Sequence, residues 1–220
     1  PNKLKETQAV ALMVSAKVDK ARFRHITLEG WQDTFYSQAG SRSYFTDCRI
    51  SGHVDFIFGG GTAVFNRCDI VARNRRDIAP PLGYVTAPST QKDQPYGLVF
   101  LNSHIIKEAG VPARSFALGR PWHPTTTFPD GRYADPDAIG TTAYVHCRID
   151  DHIYGWDRMS GKDKQGNTHW FTPQESRFYE LDNTGPGAGR GGAHYQLPPQ
   201  AASRYTLKAI FPTWDDGLLQ

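Results

Sequence analysis

Gly52-His53-Val54-Asp55-Phe56-Ile57-Phe58-Gly59-Gly60-Gly61 places one carboxylate inside an apolar, β-prone run that ends in three glycines. A charge among residues of buried type is costly unless paired or hydrogen-bonded, so Asp55 needs a physical reason to be there. A turn aspartate at a strand end is one reason. A second reason comes from an earlier stretch, Gly30-Trp31-Gln32-Asp33, which repeats the frame Gly52-His53-Val54-Asp55 at a displacement of 22 residues.

That displacement belongs to a wider, degraded repeat. Phe45-Thr46-Asp47-Cys48-Arg49-Ile50 returns as Phe65-Asn66-Arg67-Cys68-Asp69-Ile70, as Phe100-Leu101-Asn102-Ser103-His104-Ile105, and as Tyr144-Val145-His146-Cys147-Arg148-Ile149. Phe23-Arg24-His25-Ile26-Thr27-Leu28 is a looser first copy. The successive spacings are 22, 20, 35 and 44 residues. A unit of about 20 residues built of short strands suits one coil of a parallel β-helix, with the longer intervals holding loops thrown out between coils. Hairpin turns every 8–12 residues, as an immunoglobulin-like sandwich requires, are not part of this pattern. Helical periodicity is weak before residue 198. The expected fold is therefore all-β, a right-handed parallel β-helix forming a single domain over residues 1–220. Loops are expected at 73–97 and 120–140. A tail is expected to wrap or cap the end of the coil stack, with a short helical stretch near Gln200–Ala209.

Composition agrees with such a fold. The hydrophobic fraction of 39% supplies a core, and 21 Gly with 15 Pro supply turns. No apolar run approaches the roughly 20 residues of a membrane-spanning helix, so a membrane is not an expected partner. A formal net charge of +3 is too small to argue for nucleic acid. The chain starts at Pro1 with no initiator Met, which reads as a processed form or a fragment.

Cys48 and Cys68 hold the same place in adjacent repeats. Stacked strands about 4.8 Å apart fall within the Cα window of a disulfide. Two readings stand: a Cys48–Cys68 bridge, which would place the chain outside the cytoplasm, or buried free thiols. Cys147 lies two repeats beyond Cys68 and is expected to be unpaired.

The same period gathers distant polar residues. Gln8 and Gln32 are 24 residues apart, and Asp33 and Asp55 are 22 apart, one coil each. They are expected to form a short ladder on one sheet face. Two neighbouring carboxylates repel, so one should hold a proton near neutral pH, which makes an acid and a nucleophile or base from one residue type. Gln8 and Gln32 can donate to an oxyanion, or can form a structural amide ladder.

Several ordered motifs carry a family resemblance. Gln8-Ala9-Val10-Ala11-Leu12, Gln32-Asp33-Thr34, Gly52-His53-Val54-Asp55-Phe56-Ile57-Phe58-Gly59, Leu118-Gly119-Arg120-Pro121-Trp122 and Asn183-Thr184-Gly185-Pro186-Gly187-Ala188 resemble those of pectin methylesterases. Tyr84-Val85-Thr86-Ala87-Pro88-Ser89-Thr90 and Tyr154-Gly155-Trp156-Asp157-Arg158-Met159 are similar to the enterobacterial branch. The resemblance implies a carbohydrate esterase acting on methyl-esterified homogalacturonan, monomeric, with no cofactor and no metal, secreted or periplasmic in a bacterium. It implies Asp55 as nucleophile, Asp33 as general acid and then base, Gln8 and Gln32 as oxyanion donors, and Arg120 as the partner that keeps Asp55 ionised. Trp122, Tyr36, Phe58, Met159, Thr125, Arg75, Tyr84, Ala87 and Val54 match the family's substrate-contact positions. For Phe58 a core aromatic stack is an equal reading.

Three departures stand out. His53 occupies a place usually held by a small residue, and Gly60 one that is often polar. The family's first coils are expected to be missing before Gln8. Competing readings are a β-helix pectate lyase or glycoside hydrolase, for which paired carboxylates also serve, and a non-catalytic pectin-binding β-helix.

Overall fold

The computed structural model describes residues 8–75, 78–189, 193–215 and 217. Strands from successive repeats stack into three parallel sheets, as a β-helix requires. The first sheet runs Leu12–Val14, Phe35–Ser37, Val54–Gly59, Gly83–Pro88, Phe116–Gly119. The second runs Ala21–Arg24, Arg42–Thr46, Thr62–Asn66, Leu98–Leu101, Thr141–Val145, Arg177–Leu181, and the third Thr27–Glu29, Arg49–Gly52, Asp69–Ala72, His104–Lys107, Arg148–Ile149. Each coil visits the three sheets in turn.

The repeat frame is the register of this stack. Phe23, Phe45, Phe65, Phe100 and Tyr144 pair in register on the second sheet. Their rings stack with centroids 4.6, 4.9, 4.8 and 4.5 Å apart. Ile50, Ile70, Ile105 and Ile149 align likewise on the third sheet and are fully buried. Face-stacked aromatics and aligned β-branched side chains remove apolar area from water at every coil, which is what an elongated core needs.

The Cys or Ser of the frame has a specific task. Cys48 and Cys68 donate S–H to the carbonyls of Thr46 and Asn66, two residues back, and to those of Phe23 and Phe45 in the preceding coil. Ser103 bonds Leu101 and Phe65 in the same way, and Cys147 bonds Val145 and Phe100. A hydroxyl and a thiol are interchangeable on this rung because either satisfies the same two carbonyls.

The expected Cys48–Cys68 disulfide is not formed: all three cysteines are free, buried thiols. In-register residues on parallel strands keep their Cβ atoms near the strand spacing of about 4.8 Å, longer than the ~3.5–4.5 Å of a disulfide. The two thiols are neighbours on adjacent coils, each bonded to backbone carbonyls and not to one another covalently. Burial pushes the Cys147 thiol up to about 12.

The loop expectations need two further corrections. Residues 73–97 are not one loop, because Gly83–Pro88 returns to the first sheet as the strand after Val54–Gly59. Residues 120–140 contain an antiparallel hairpin, Thr125–Phe128 with Gly131–Ala134. A second hairpin, Met159–Lys162 with Thr168–Phe171, had no counterpart in the sequence reading.

The tail packs on the coils as expected: Gln196 bridges Glu180 beyond the last strand, and Ala188 and Tyr195 lie against the end of the core. Pro199–Tyr205 and Leu207–Ile210 form two short helical turns. Tyr205, Ile210, Phe211 and Trp214 then pack on Tyr44, Val64, Val99 and Val145, which point outward from the second sheet. The tail thus runs back along the side of the stack. Arg42 donates to Thr213 Oγ1, and Arg22 on the first coil donates to the Gly217 carbonyl. No helix among the described residues is long and apolar enough to cross a membrane.

Thiol titration of the denatured, unreduced chain is expected to find three reactive groups, and none in the native state. Cys68→Ser should cost no more than about 1 kcal/mol, because Ser103 already serves on the next rung and an ordinary hydrogen bond contributes about that much.

Candidate active site

Two local irregularities in the first sheet create the site. Val54 pairs with Tyr84 and Ile57 with Thr86, so Asp55 and Phe56 together oppose the single residue Val85. Phe56 takes the inward place, fully buried like Val85, and Asp55 is the extra residue of a bulge, with φ 50°. One coil earlier, Gln32 pairs with Val54 and Phe35 with Ile57, which sets Asp33 and Thr34 opposite Asp55 and Phe56. Asp33 has φ 63°. A left-handed residue in a bulge re-aims its side chain, and aspartate tolerates that conformation better than most.

The glycine that opens each frame follows from the same geometry. A Cβ on Gly30 would collide with Thr34, and one on Gly52 with Phe56, the inward residue four positions on. The frame Gly-x-x-Asp is therefore the covalent description of a bulge that hides its neighbour and presents a carboxylate.

Arg120 completes the arrangement from two coils away. It follows the strand Phe116–Gly119, and its backbone N–H bonds Thr86 O at 3.0 Å. Its guanidinium crosses the Tyr84 ring at 3.8 Å. It meets Asp55 with both forks, Nε to Oδ1 at 2.9 Å and Nη2 to Oδ2 at 2.7 Å. Such bidentate pairs combine charge with orientation.

Burial pushes the Asp55 carboxyl upward from the usual range, and the two Arg120 donors pull it back. Arg120 itself is held charged by Asp55 against the effect of burial. Asp33 is half-buried and faces no such partner. Burial first, and then the Asp55 charge, raise it to about 6, with Arg120 opposing. The two carboxylates thus differ through their surroundings: one is clamped by a cation, and the other is inclined to keep its proton.

Gln8 and Gln32 bridge in parallel, and Gln32 bridges Val54. The ladder Gln8, Gln32, Val54, Tyr84 thus runs beside the aspartates. Alongside lies an aromatic row. Tyr36 and Phe58 stack at 4.5 Å with planes 3° apart, and Trp122 meets Phe58 edge-on at 5.6 Å. Phe58, 9% exposed, is largely covered by these two neighbours, so its packing role accompanies any substrate role. Ala87 pairs with Phe58 and is buried. Thr125 is exposed at the start of its hairpin, and Arg75 is half-buried in the segment after Ala72. Met159 lines a cavity of about 340 Å³ together with Tyr84 and Arg120. His53 does not stand over the aspartates; it is buried, with its ring 5.5 Å from that of Trp31.

Several neighbours of the site were missed in the sequence. Met13 pairs with Tyr36 and is 49% exposed, extending the aromatic row by one coil. Alternation along Leu12–Val14 and the repeat register could have found it. Asp157, Arg158 and Trp170 share the cavity with Met159. Arg158 lies over the Trp170 ring at 4.3 Å. These come from an inserted hairpin and its approach, which obey no repeat.

The raised Asp33 has a consequence for stability. A carboxyl whose folded value lies above its unfolded value of about 3.9 adds stability that is complete below pH 4. That contribution is lost as pH rises towards about 6. Asp33→Asn should therefore raise the melting temperature relative to the parent at pH 7, and do so much less at pH 4.

The pectinesterase family model matches residues 3–210. Pectinesterase A of Dickeya chrysanthemi is 55% identical over 220 residues, covering 99% of this chain and 60% of that protein. Among solved structures, a pectin methylesterase from Yersinia enterocolitica superposes with a TM-score of 0.95 at 63% identity, covering 97% of this chain and 67% of that one. A pectin methylesterase in complex with a hexasaccharide gives 0.94 at 55% identity, covering 97% and 63%. The chain spans 60% of the length of the Dickeya relatives it matches. A stacked-coil fold, a match over nearly its whole length and this level of identity together establish that the chain belongs to the pectinesterase family.

Proposed function

We propose that this chain carries the ester-hydrolysing centre of a pectin methylesterase, converting C6 methyl esters of homogalacturonan to pectate and methanol. The observation that carries the reading is the unequal aspartate pair: Asp55 is clamped by Arg120, and Asp33, directly opposite on the preceding coil, is raised to about 6. A pectin methylesterase relative binds a hexasaccharide, which supports an oligosaccharide in the corresponding groove.

In this mechanism an Asp55 carboxylate oxygen attacks the ester carbonyl, held by Arg120 in the orientation for attack. The carbonyl π pair moves onto oxygen, where side-chain amides of Gln8 and Gln32 receive the oxyanion. Collapse expels the methoxy group, and protonated Asp33 gives it the proton, so that methanol leaves and an acyl-enzyme anhydride remains. Asp33, now a carboxylate, takes a proton from water as the water attacks the anhydride. The galacturonate carboxylate departs and Asp55 is restored. Tyr36, Phe58 and Trp122 offer flat apolar faces to sugar C–H groups, and Val54, Ala87, Thr125, Met159, Arg75 and Tyr84 are carried as further contacts. No step requires a cofactor. Every assigned residue comes from one chain, which suits a monomer. A secreted or periplasmic site of action is proposed because the substrate is a cell-wall polymer, and it does not rest on a disulfide.

Methanol release from methylated pectin tests the reading. The parent chain should release methanol and acidify the medium. An unsaturated product would instead indicate a lyase, and binding without turnover an inactive module. Asp55→Asn should abolish turnover, since an amide is a poor nucleophile, and should leave pectin binding. Gln32→Ala should lower turnover by about 10²–10³, as loss of an oxyanion donor does elsewhere. The acylation rate should fall as pH rises above about 6, where Asp33 loses the proton it must donate.

A further inference from the structure

Glu180 is a carboxylate with no solvent exposure, and the reaction just described does not use it. It lies on Arg177–Leu181, the last strand of the second sheet. Its Oε1 accepts from Trp156 Nε1 at 3.0 Å. His194 Nδ1 lies 2.9 Å from Oε1 and 3.1 Å from Oε2. An ionised carboxylate only accepts, so Nδ1 carries the proton in this contact. The backbone closes the same unit: Glu180 N–H bonds Tyr195 O, and Leu197 N–H bonds Glu180 O, both at 2.8 Å.

Trp156 carries this anchorage towards the site. Its ring is buried and stacks on Phe178 at 4.3 Å, and the Trp156 backbone N–H bonds Ala193 O at 3.1 Å. On its other side the segment Tyr154–Asp157 lies along the last strand of the first sheet. Leu118 N–H bonds Gly155 O at 2.7 Å, and Asp157 N–H bonds Gly119 O at 3.0 Å. Gly155, at φ 120°, has no room for a Cβ against Ala193, so the three layers are in direct contact. The next residue after Gly119 is Arg120. Asp157, Arg158 and Met159, which follow Trp156, form one wall of the cavity opening beside Arg120.

We propose that Glu180 is a positioning residue. Through Trp156 it holds the segment Tyr154–Met159 against Leu118–Gly119, and so fixes the polymer-facing wall next to the Arg120–Asp55 pair. The inference rests on the proposed function for its kinetic readout. A buried carboxylate serves here because it accepts from an indole N–H and lies within hydrogen-bond distance of an imidazole nitrogen from a second segment. An apolar residue would pack, but it would leave both donors unsatisfied at real cost.

The test uses the full chain and partly methylated pectin. Glu180→Ala should raise KM about tenfold with kcat within about twofold of the parent, since loss of a hydrogen bond to a charged acceptor is of that size. Glu180→Gln keeps an acceptor for Trp156 and should restore KM. Trp156→Phe removes the indole N–H together with the pyrrole ring, keeps an aromatic ring on Phe178, and should raise KM in the same direction; it decides the matter if Glu180→Ala does not fold. A lowered melting temperature with unchanged KM in folded Glu180→Ala, or in Trp156→Phe, overturns the proposal. So does a loss of kcat that Glu180→Gln does not rescue. If the parent chain releases no methanol, the functional reading fails. The contact is then read without substrate, from the indole N–H resonance of Trp156. A shift on Glu180→Ala supports the anchorage, and an unmoved resonance overturns it.

Discussion

Every coil is bound to its neighbours at the fixed spacing of hydrogen-bonded parallel strands, and the rest of the structure follows from that constraint. Side chains at equivalent positions must stack at about 4.8 Å. Flat rings suit that distance, and Phe23, Phe45, Phe65, Phe100 and Tyr144 fill one column with centroids 4.5–4.9 Å apart. The rung formed by Cys48, Cys68, Ser103 and Cys147 answers to the same spacing, each member bonding one carbonyl of its own coil and one of the coil before. The constraint also excludes: parallel side-chain vectors kept at strand spacing hold two neighbouring cysteines as thiols.

A strict stack alone cannot present a charge, because the strand that faces the core must be apolar. The chain solves this with one extra residue. At Asp55, the extra residue of a bulge against Val85, and at Asp33 opposite it, the inward place passes to Phe56 and Thr34, and the aspartates take left-handed backbone conformations of moderate cost. Stacking then brings the two carboxylates opposite one another, where burial, and after it the Asp55 charge, raises Asp33. Arg120 bonds Asp55 directly, because it reaches across Tyr84 with a geometry that matches one carboxylate, and it acts on Asp33 only through its charge. The asymmetry needed for acid–base chemistry thus arises from identical residues on consecutive coils.

Insertions leave the stack only where a coil turns, and they are fastened to its outside. The hairpin Met159–Lys162 with Thr168–Phe171 brings Met159 and Trp170 to the cavity beside Arg120. The tail lays Tyr205, Ile210, Phe211 and Trp214 over the outward face of the second sheet, so this sheet is apolar on both faces. Glu180 sits where the last strand, the tail and the segment before that hairpin meet, and its two hydrogen bonds tie all three together.

The repeat frame alone determined the stacked-coil fold, the columns of Phe and Ile, and the placement of Asp33 opposite Asp55 with Gln8 and Gln32 alongside. It could do so because in-register stacking converts a sequence separation of one period into a distance of one strand. The motif around Arg120 was legible only through family resemblance, since Arg120 lies outside the frame that pairs the aspartates. Tertiary structure decided what has no period: the left-handed backbone that turns each aspartate outward, the path of the tail along the side, the hairpin carrying Trp170, and the buried contacts of Glu180 with Trp156 and His194. Contacts between loops and a stack depend on where each chain segment happens to land. Hydrogen-bond geometry and packing choose that place in three dimensions, and no local pattern of residues encodes it.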